Sequence, residues 1–177
     1  MFGLFKKKES SVKVIDKIWM NQEAKWHGIV ELWRKDPSIV VITWFDSTLG
    51  HLETLFAKET ATPPSLFSAR TVHPSYIAGR QVIFAEHHPM RSKEQETFKQ
   101  WHLSEAVIHS ALDEPFFKFF ESDKIVGMMK QLGMTDDSMI EHKMISSAIE
   151  NAQEKIEKKV VTEQTASSQQ EWIERNM

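Results

Sequence analysis

The chain has no cysteine among its 177 residues. That excludes a disulfide scaffold and any metal site built on thiolates. It has no apolar run approaching the ~20 residues that a membrane-spanning helix needs. It has little charge imbalance, with 22 basic residues against 25 acidic ones and a formal net charge of -3. No global basic field therefore points to nucleic acid. Glycine is scarce, six in all. Gly28, Gly50, Gly79, Gly127 and Gly133 stand in no glycine–lysine neighbourhood, so there is no GxxxxGK[ST] loop to cradle phosphates with backbone amides. No HExxH or comparable histidine spacing occurs either.

What is there is globular: 41% hydrophobic and 27% charged residues, in a length that suits one domain with a real core. Met1–Lys8 reads MFGLFKKK, whereas a secretory leader has the reverse order and a longer apolar stretch. Phe2, Leu4 and Phe5 beside Lys6, Lys7 and Lys8 suit at most a peripheral touch on an anionic membrane. The plainer alternative is a loosely ordered terminus. The expectation is a soluble, cytoplasmic protein.

Val12 to Met20 alternates imperfectly, as a short strand or an extended lead-in. Asn21 reads as the N-cap of a helix over about Gln22–Lys35, with Trp26, Ile29, Val30 and Trp33 on one face. Asp36-Pro37 ends it. Ile39–Phe45, IVVITWF, is β-branched, aromatic and too short for a helix, as expected of a central strand covered on both faces. Asp46 or Ser47 is placed to cap a helix over about Thr48–Lys58 that buries Leu49, Leu52, Leu55 and Phe56. Beyond the Pro63-Pro64 loop, strands are expected at Leu66–Val72 and Gln81–Glu86. A helix follows over Ser92–His102, with Ser92 and Gln95 at capping-box spacing. A further strand is expected at Glu105–Leu112, where a helix from Ser104 competes.

Phe116, Phe117, Phe119 and Phe120 mark a short helix packed on the sheet or on the last helix. Ser122 or Asp123 caps the next helix, and Gly133 stops it in the left-handed conformation. A long helix over about 137–161, capped by Asp136, Asp137 or Ser138, carries a seam of Ile145, Ala148, Ile149, Ala152, Ile156 and Val160. Trp172 and Ile173 fall in a polar tail. The expected fold is α/β. Residues 1–112 form a small, mostly parallel sheet of three or four strands flanked by helices, and 113–177 form a helical extension.

Some strings are more specific than this patterning. Ser122-Asp123-Lys124-Ile125, Gly127-Met128-Met129, Leu132-Gly133-Met134, Ile140-Glu141-His142, Ala148-Ile149-Glu150-Asn151-Ala152-Gln153 and Lys155-Ile156-Glu157 follow in order with few gaps. Weaker strings are Asn21–Trp26 leading to Asp36-Pro37 and IVVIT, and Gln81–His88. In these the chain resembles the SecA preprotein-translocase ATPase, where that family's second motor domain hands over to its long scaffold helix. The resemblance implies a RecA-like, P-loop-NTPase-like half motor, degenerate and truncated. The departures matter as much. The family's phosphate-binding loop, carried by a first motor domain, has no counterpart. Between His88 and Leu112 there is no glycine and only Arg91, where the family has an arginine- and glycine-rich motif. The positive groups that stabilise a transferring phosphoryl are largely missing. ATPase activity is not expected of the chain alone.

Asp46, Glu86, His87, His88 and Arg91 form a candidate polar cluster at the C-terminal ends of the expected strands, where open α/β sheets bind ligands. Histidine and carboxylate suit zinc binding or acid–base chemistry. They equally suit structural histidines, because His87 and His88 are adjacent and point different ways in an extended chain. His142 is expected to cap the last helix. The methionines from Met128 to Met144 suit a core or an adaptable groove. Ile145, Ile149, Ala152, Ile156 and Val160 are the candidate protein-binding seam, for a protein partner or for self-association. No cofactor, metal or nucleic acid is expected. Two function classes stand. One is a non-catalytic, SecA-like binding or regulatory module engaging a polypeptide or a translocation component. The other is half of a split nucleotide-binding site completed by another chain.

Overall fold

A computed structural model describes residues 11–177, so the reading of Met1–Lys8 lies outside the described residues. Five strands run parallel: β1 (Lys13–Trp19), β2 (Val40–Thr43), β3 (Ser65–Ser68), β4 (Val82–Phe84) and β5 (Glu105–Ala111). A sixth, β6 (Met139–Ile140), is antiparallel to β1. The order is β3-β2-β4-β5-β1-β6. The α/β class is as expected, with more strands than three or four. The Val12–Met20 segment is a full strand, and Met139–Ile140 is an unexpected one.

IVVITWF lies inside the sheet, between β3 and β4. Successive side chains of a strand turn to opposite faces, so a continuous apolar run serves two cores at once. Val40 and Ile42 join one core, Ile39 and Val41 the other, and all four are buried. α1 (Gln22–Lys35) and α2 (Asp46–Glu59) cover the second face with Ile29, Val30, Trp33, Leu52 and Phe56. Helices α3 (Arg91–Gln100), α4 (Pro115–Phe119), α6 (Lys143–Glu157) and α7 (Gln169–Asn176) cover the first. They bring Phe98, Phe116, Phe117, Ile149, Ile156 and Trp172 to it. α5 (Ser122–Gln131) packs Val126 and Met129 there and leaves Ile125 and Met128 exposed.

Asn21 caps α1 as expected, its side chain accepting from the Ala24 N–H at 2.8 Å. Other helix starts depart from expectation, each because a distant partner replaces the local cap. α2 begins at Asp46 itself, and the Trp44 and Phe45 amides before it donate to Glu86. α3 begins at Arg91 with Ser92 already inside it. Gln95 exchanges two hydrogen bonds with the Val12 backbone instead of closing a capping box. Ser122 donates its hydroxyl to the Leu112 carbonyl, and α5 follows Glu121, which is itself left-handed at φ 59°. Gly133 is left-handed at φ 88°, as expected of a helix stop.

The long helix starts at Lys143, not near 137. Thr135 and Ser138 close a turn, Met139 and Ile140 pair with Trp19 and Ile18, and only then does His142 cap the helix by accepting from the Met144 N–H at 3.2 Å. Phe116 and Phe117 are buried and Phe120 packs on the core, but Phe119 is exposed. Positions 116, 117 and 120 share one face of the turn, and 119 falls off it. Trp172 and Ile173 are not in a tail. They are the buried side of α7, and Trp172 is fully covered.

Candidate functional site

Beyond β4 the chain reads Ala85-Glu86-His87-His88, and all four residues are buried. Glu86 turns toward the start of α2. One carboxylate oxygen accepts from the Trp44 and Phe45 amides at 3.0 Å each, and the other accepts from the Thr48 hydroxyl at 2.6 Å. Burial still outweighs those bonds and the Lys25 charge, and it pushes the Glu86 carboxyl up to about 7.

His87 turns the other way. Its Nε2 meets Asp16 of β1 at 2.9 Å and its Nδ1 meets Glu94 of α3 at 2.9 Å. Burial works against the charge on the ring, but the Glu94 carboxylate and the hydrogen bonds to Asp16 and Glu94 push the imidazole up to about 10. Asp16, which burial alone would raise, is held low by His87. Two glutamines tie the extension to this cluster. Gln153 of α6 donates to the His88 carbonyl at 2.8 Å and to Glu94 at 2.9 Å. Gln169 of α7 donates to the His87 carbonyl at 2.9 Å and accepts from the Phe116 N–H at 2.8 Å.

His88 is packed among rings, stacked on Phe45 and edge-on to Trp44 and Trp172. Its Nε2 lies 3.3 Å from Glu163. That bond, with those from Trp172 and Lys93, holds the Glu163 carboxyl down at about 2. Nearby, Lys25 of α1 is buried, donating to the Ala85 carbonyl at 2.7 Å and pairing with Glu114. Burial raises the Glu114 carboxyl, and Lys25 opposes the rise. The second oxygen of Glu114 has no hydrogen-bond partner.

The structure thus brings three of the five candidate polar residues into one buried region. It separates the other two. Asp46 is exposed on the first turn of α2. Arg91 pairs with Glu150 at 2.8 Å and Glu154 at 3.7 Å on α6. With both His87 nitrogens committed to carboxylates, the ring has no lone pair for a metal. Among the described residues no group of three or more His, Asp or Glu side chains could hold one.

Of the candidate seam, Ile149 and Ile156 are buried in the chain's own core, with Ile145, Ala152 and Val160 packed against it. The sequence reading missed Lys25, Asp16, Glu94, Gln153, Gln169 and Glu163. Lys25 carried a signal, since it lies three and four residues before Gly28 and Ile29 on the buried stripe of α1.

No helix among the described residues is long and apolar enough to cross a membrane. No family model matches the chain. Curated relatives do. Protein translocase subunit SecA of Clostridium acetobutylicum is 35% identical over 85 residues, 46% of this chain and 10% of that protein. The same subunit of Acinetobacter baylyi is 34% identical over 83 residues, 45% of this chain and 9% of that protein. That of Syntrophomonas wolfei is 36% identical over 85 residues. The chain is therefore similar to part of SecA, and the match spans about a tenth of the relatives' length.

Proposed function

We propose that this SecA-related chain is a non-catalytic, cytoplasmic protein-binding module linked to protein translocation, descended from a motor half-domain that no longer turns over nucleotide. The observation that carries the reading is how the C-terminal edge of the sheet is filled. Open α/β sheets take ligands at that edge, often on free amides at a helix N-terminus. Here Glu86 takes the Trp44 and Phe45 amides, and the Ser47 amide donates to the Ser167 carbonyl. A phosphate would have to displace a carboxylate and the segment leading into α7. Two arginines stand near this edge, and both are engaged: Arg91 by Glu150 of α6, and Arg70, just beyond β3, by the Ala166 carbonyl at 2.9 Å.

The test is purified chain with magnesium and ATP, beside Arg91→Ala. The expected result is no turnover above background and no change in the unfolding midpoint with millimolar nucleotide, since a bound ligand stabilises the fold. A labelled unfolded polypeptide should bind saturably in the same preparation. Turnover that disappears in the Arg91 variant would refute the reading.

A further inference from the structure

The segment 163–177 closes on itself. The Gln164 amide donates to the Asn176 side chain at 2.7 Å, and that side chain donates back to the Gln164 carbonyl at 2.9 Å. Arg175 donates to the Thr165 carbonyl at 2.9 Å, and the Ser167 hydroxyl donates to Glu171 at 2.6 Å. The Trp172 indole donates to Glu163 at 3.0 Å. The turn and α7 are therefore one preformed unit, joined to α6 through 158–162, where Val161 is 99% exposed. Such a unit can leave the sheet whole, because none of these bonds has to break when it does.

What it covers is a strip of donors at the C-terminal ends of the strands. Lys93 and His88 meet Glu163 at 3.0 and 3.3 Å. Arg70 donates to the Ala166 carbonyl and the Ser47 amide donates to the Ser167 carbonyl, at 2.9 Å each. Among the described residues, the hydrogen bonds and ion pairs of the Arg70 and Lys93 side chains go to this segment alone. The segment is an incomplete match for the strip. It brings one carboxylate, but a guanidinium and an amide in the first turn of α2 are left with neutral carbonyls, where a carboxylate bonds more strongly. Nearby, Glu86 is bound to the Trp44 and Phe45 amides, and Asp46 stands exposed beside Ser47 as the charge that opposes an anion.

We propose that this strip is a binding site for an acidic polypeptide segment, and that 163–177 is the chain's own occupant of it, which the ligand displaces. The ligand brings one carboxylate to Lys93 and His88 and a second, a few residues on, to Arg70 and the Ser47 amide. An aromatic side chain takes the place of Trp172 against the His88 ring. The contacts to be replaced run along a chain, since Gln169 also donates to the His87 carbonyl and accepts from the Phe116 N–H. A free anion would replace one of them and leave the rest. The proposal rests on the binding-module reading and names the site and the ligand of that module.

The experiment uses the full chain and a fluorescein-labelled peptide copying residues 162–177, with Glu163→Gln and Thr165→Asp versions of that peptide. The attached segment competes at an effective concentration of roughly millimolar, so half-saturation of the parent chain is expected near that value. Glu163→Gln in the chain loosens the attached segment and should tighten peptide binding roughly tenfold, the scale of one charge-assisted hydrogen bond. The same change in the peptide should weaken binding by as much, whereas Thr165→Asp in the peptide should tighten it. Asp46→Asn in the chain should tighten binding of the Thr165→Asp peptide further. Amide hydrogen exchange needs no variant. The Trp172 N–H, bonded to the Ser168 carbonyl in α7, should exchange faster in the parent chain under saturating peptide, because a released helix this short is marginal.

No binding, unchanged exchange at Trp172, or a Glu163→Gln chain that binds no more tightly than the parent overturns the site. So does equal affinity of the three peptides. A doubled mass by light scattering, with α7 still protected, assigns the strip to the segment of a second copy and overturns the external ligand. An unfolded polypeptide that binds while α7 stays protected removes this site and leaves the binding-module reading intact. Nucleotide turnover removes that reading, and the peptide measurements still decide the site.

Discussion

Two buried carboxylates on opposite sides of one imidazole leave His87 nothing to offer a substrate. Its folded value of about 10 lies above the unfolded value of 6.5. Its contribution to stability is therefore complete below pH 6.5 and is lost as the pH rises through 10. The free energy of unfolding should fall across that window with a slope approaching about 1.4 kcal/mol per pH unit. His87→Gln should remove the slope and, at neutral pH, cost about 3–5 kcal/mol by stranding Asp16 and Glu94. Urea titrations of both proteins at stepped pH check this, and parallel slopes would disprove it. Glu86 has the same sign in a lower window. Its raised value of about 7 means that the protonated form, favoured by the fold, is complete below 4.5 and lost through 7. Glu86→Gln should therefore gain on the parent by up to about 3 kcal/mol as the pH rises from 4.5 to 8. Glu86, His87 and His88 are legible as a group because they follow an apolar strand directly. Asp16 and Glu94 are not, because His87 meets Asp16 across 71 positions of sequence and Glu94 sits in a polar helix with no pattern of its own.

Among the elements, local chemistry is legible where it is self-contained and lost where a tertiary partner takes over. Asn21 and Gly133 act as their types suggest, whereas Ser92 and Gln95, at capping-box spacing, yield to the bond between Gln95 and Val12. The opposite error lies at α7. Ser168 and Glu171 have capping spacing, and Ser168 does accept from the Glu171 N–H at 3.1 Å, so the segment around Trp172 announces a helix. Two apolar residues in a short polar stretch give no periodicity to confirm it. Trp172→Ala should cost about 3–5 kcal/mol, the range for an aromatic deleted from a core, measured by denaturant titration. A loss under 1 kcal/mol would mean that α7 is an ornament. α1 and β1 supply a second case. Trp19 lies so close to Gly28 that a Cβ there would fall 2.3 Å from the indole ring, and the indole N–H is itself bonded to His109 at 3.1 Å. Gly28→Ala gains about 1 kcal/mol of helix propensity but should lose about 1–3 kcal/mol to overpacking. A net stabilisation would show that Trp19 has room to move.

At the scale of the molecule, the α/β class is legible because IVVITWF can only be a strand sandwiched between helices. The closure of residues 113–177 over the sheet is not, because it depends on which face each strand presents and on glutamines that read as surface residues. Ile149, Ile156, Trp172 and Ile173 share one core with Ile42, Phe84, Phe98 and Ile108. Gln153 and Gln169 hydrogen-bond to the backbone that leaves β4. A chain ending at Asp113 would open that whole face to water and strip Glu94 and His88 of partners. At roughly 25 cal/mol per Å² of apolar surface, exposing even a few hundred Å² would remove much of the 5–15 kcal/mol by which such a fold is stable. The full chain should therefore unfold in one transition, with far-UV circular dichroism and tryptophan fluorescence coinciding. Residues 1–113 alone should show no cooperative transition. Two separated transitions in the full chain, or a cooperative melt of residues 1–113, would mean that the sheet stands without α6 and α7. The bonds from Gln153 and Gln169 would then be a latch on a finished domain, and a partner that displaced the helices could expose the C-terminal edge of the sheet without unfolding it.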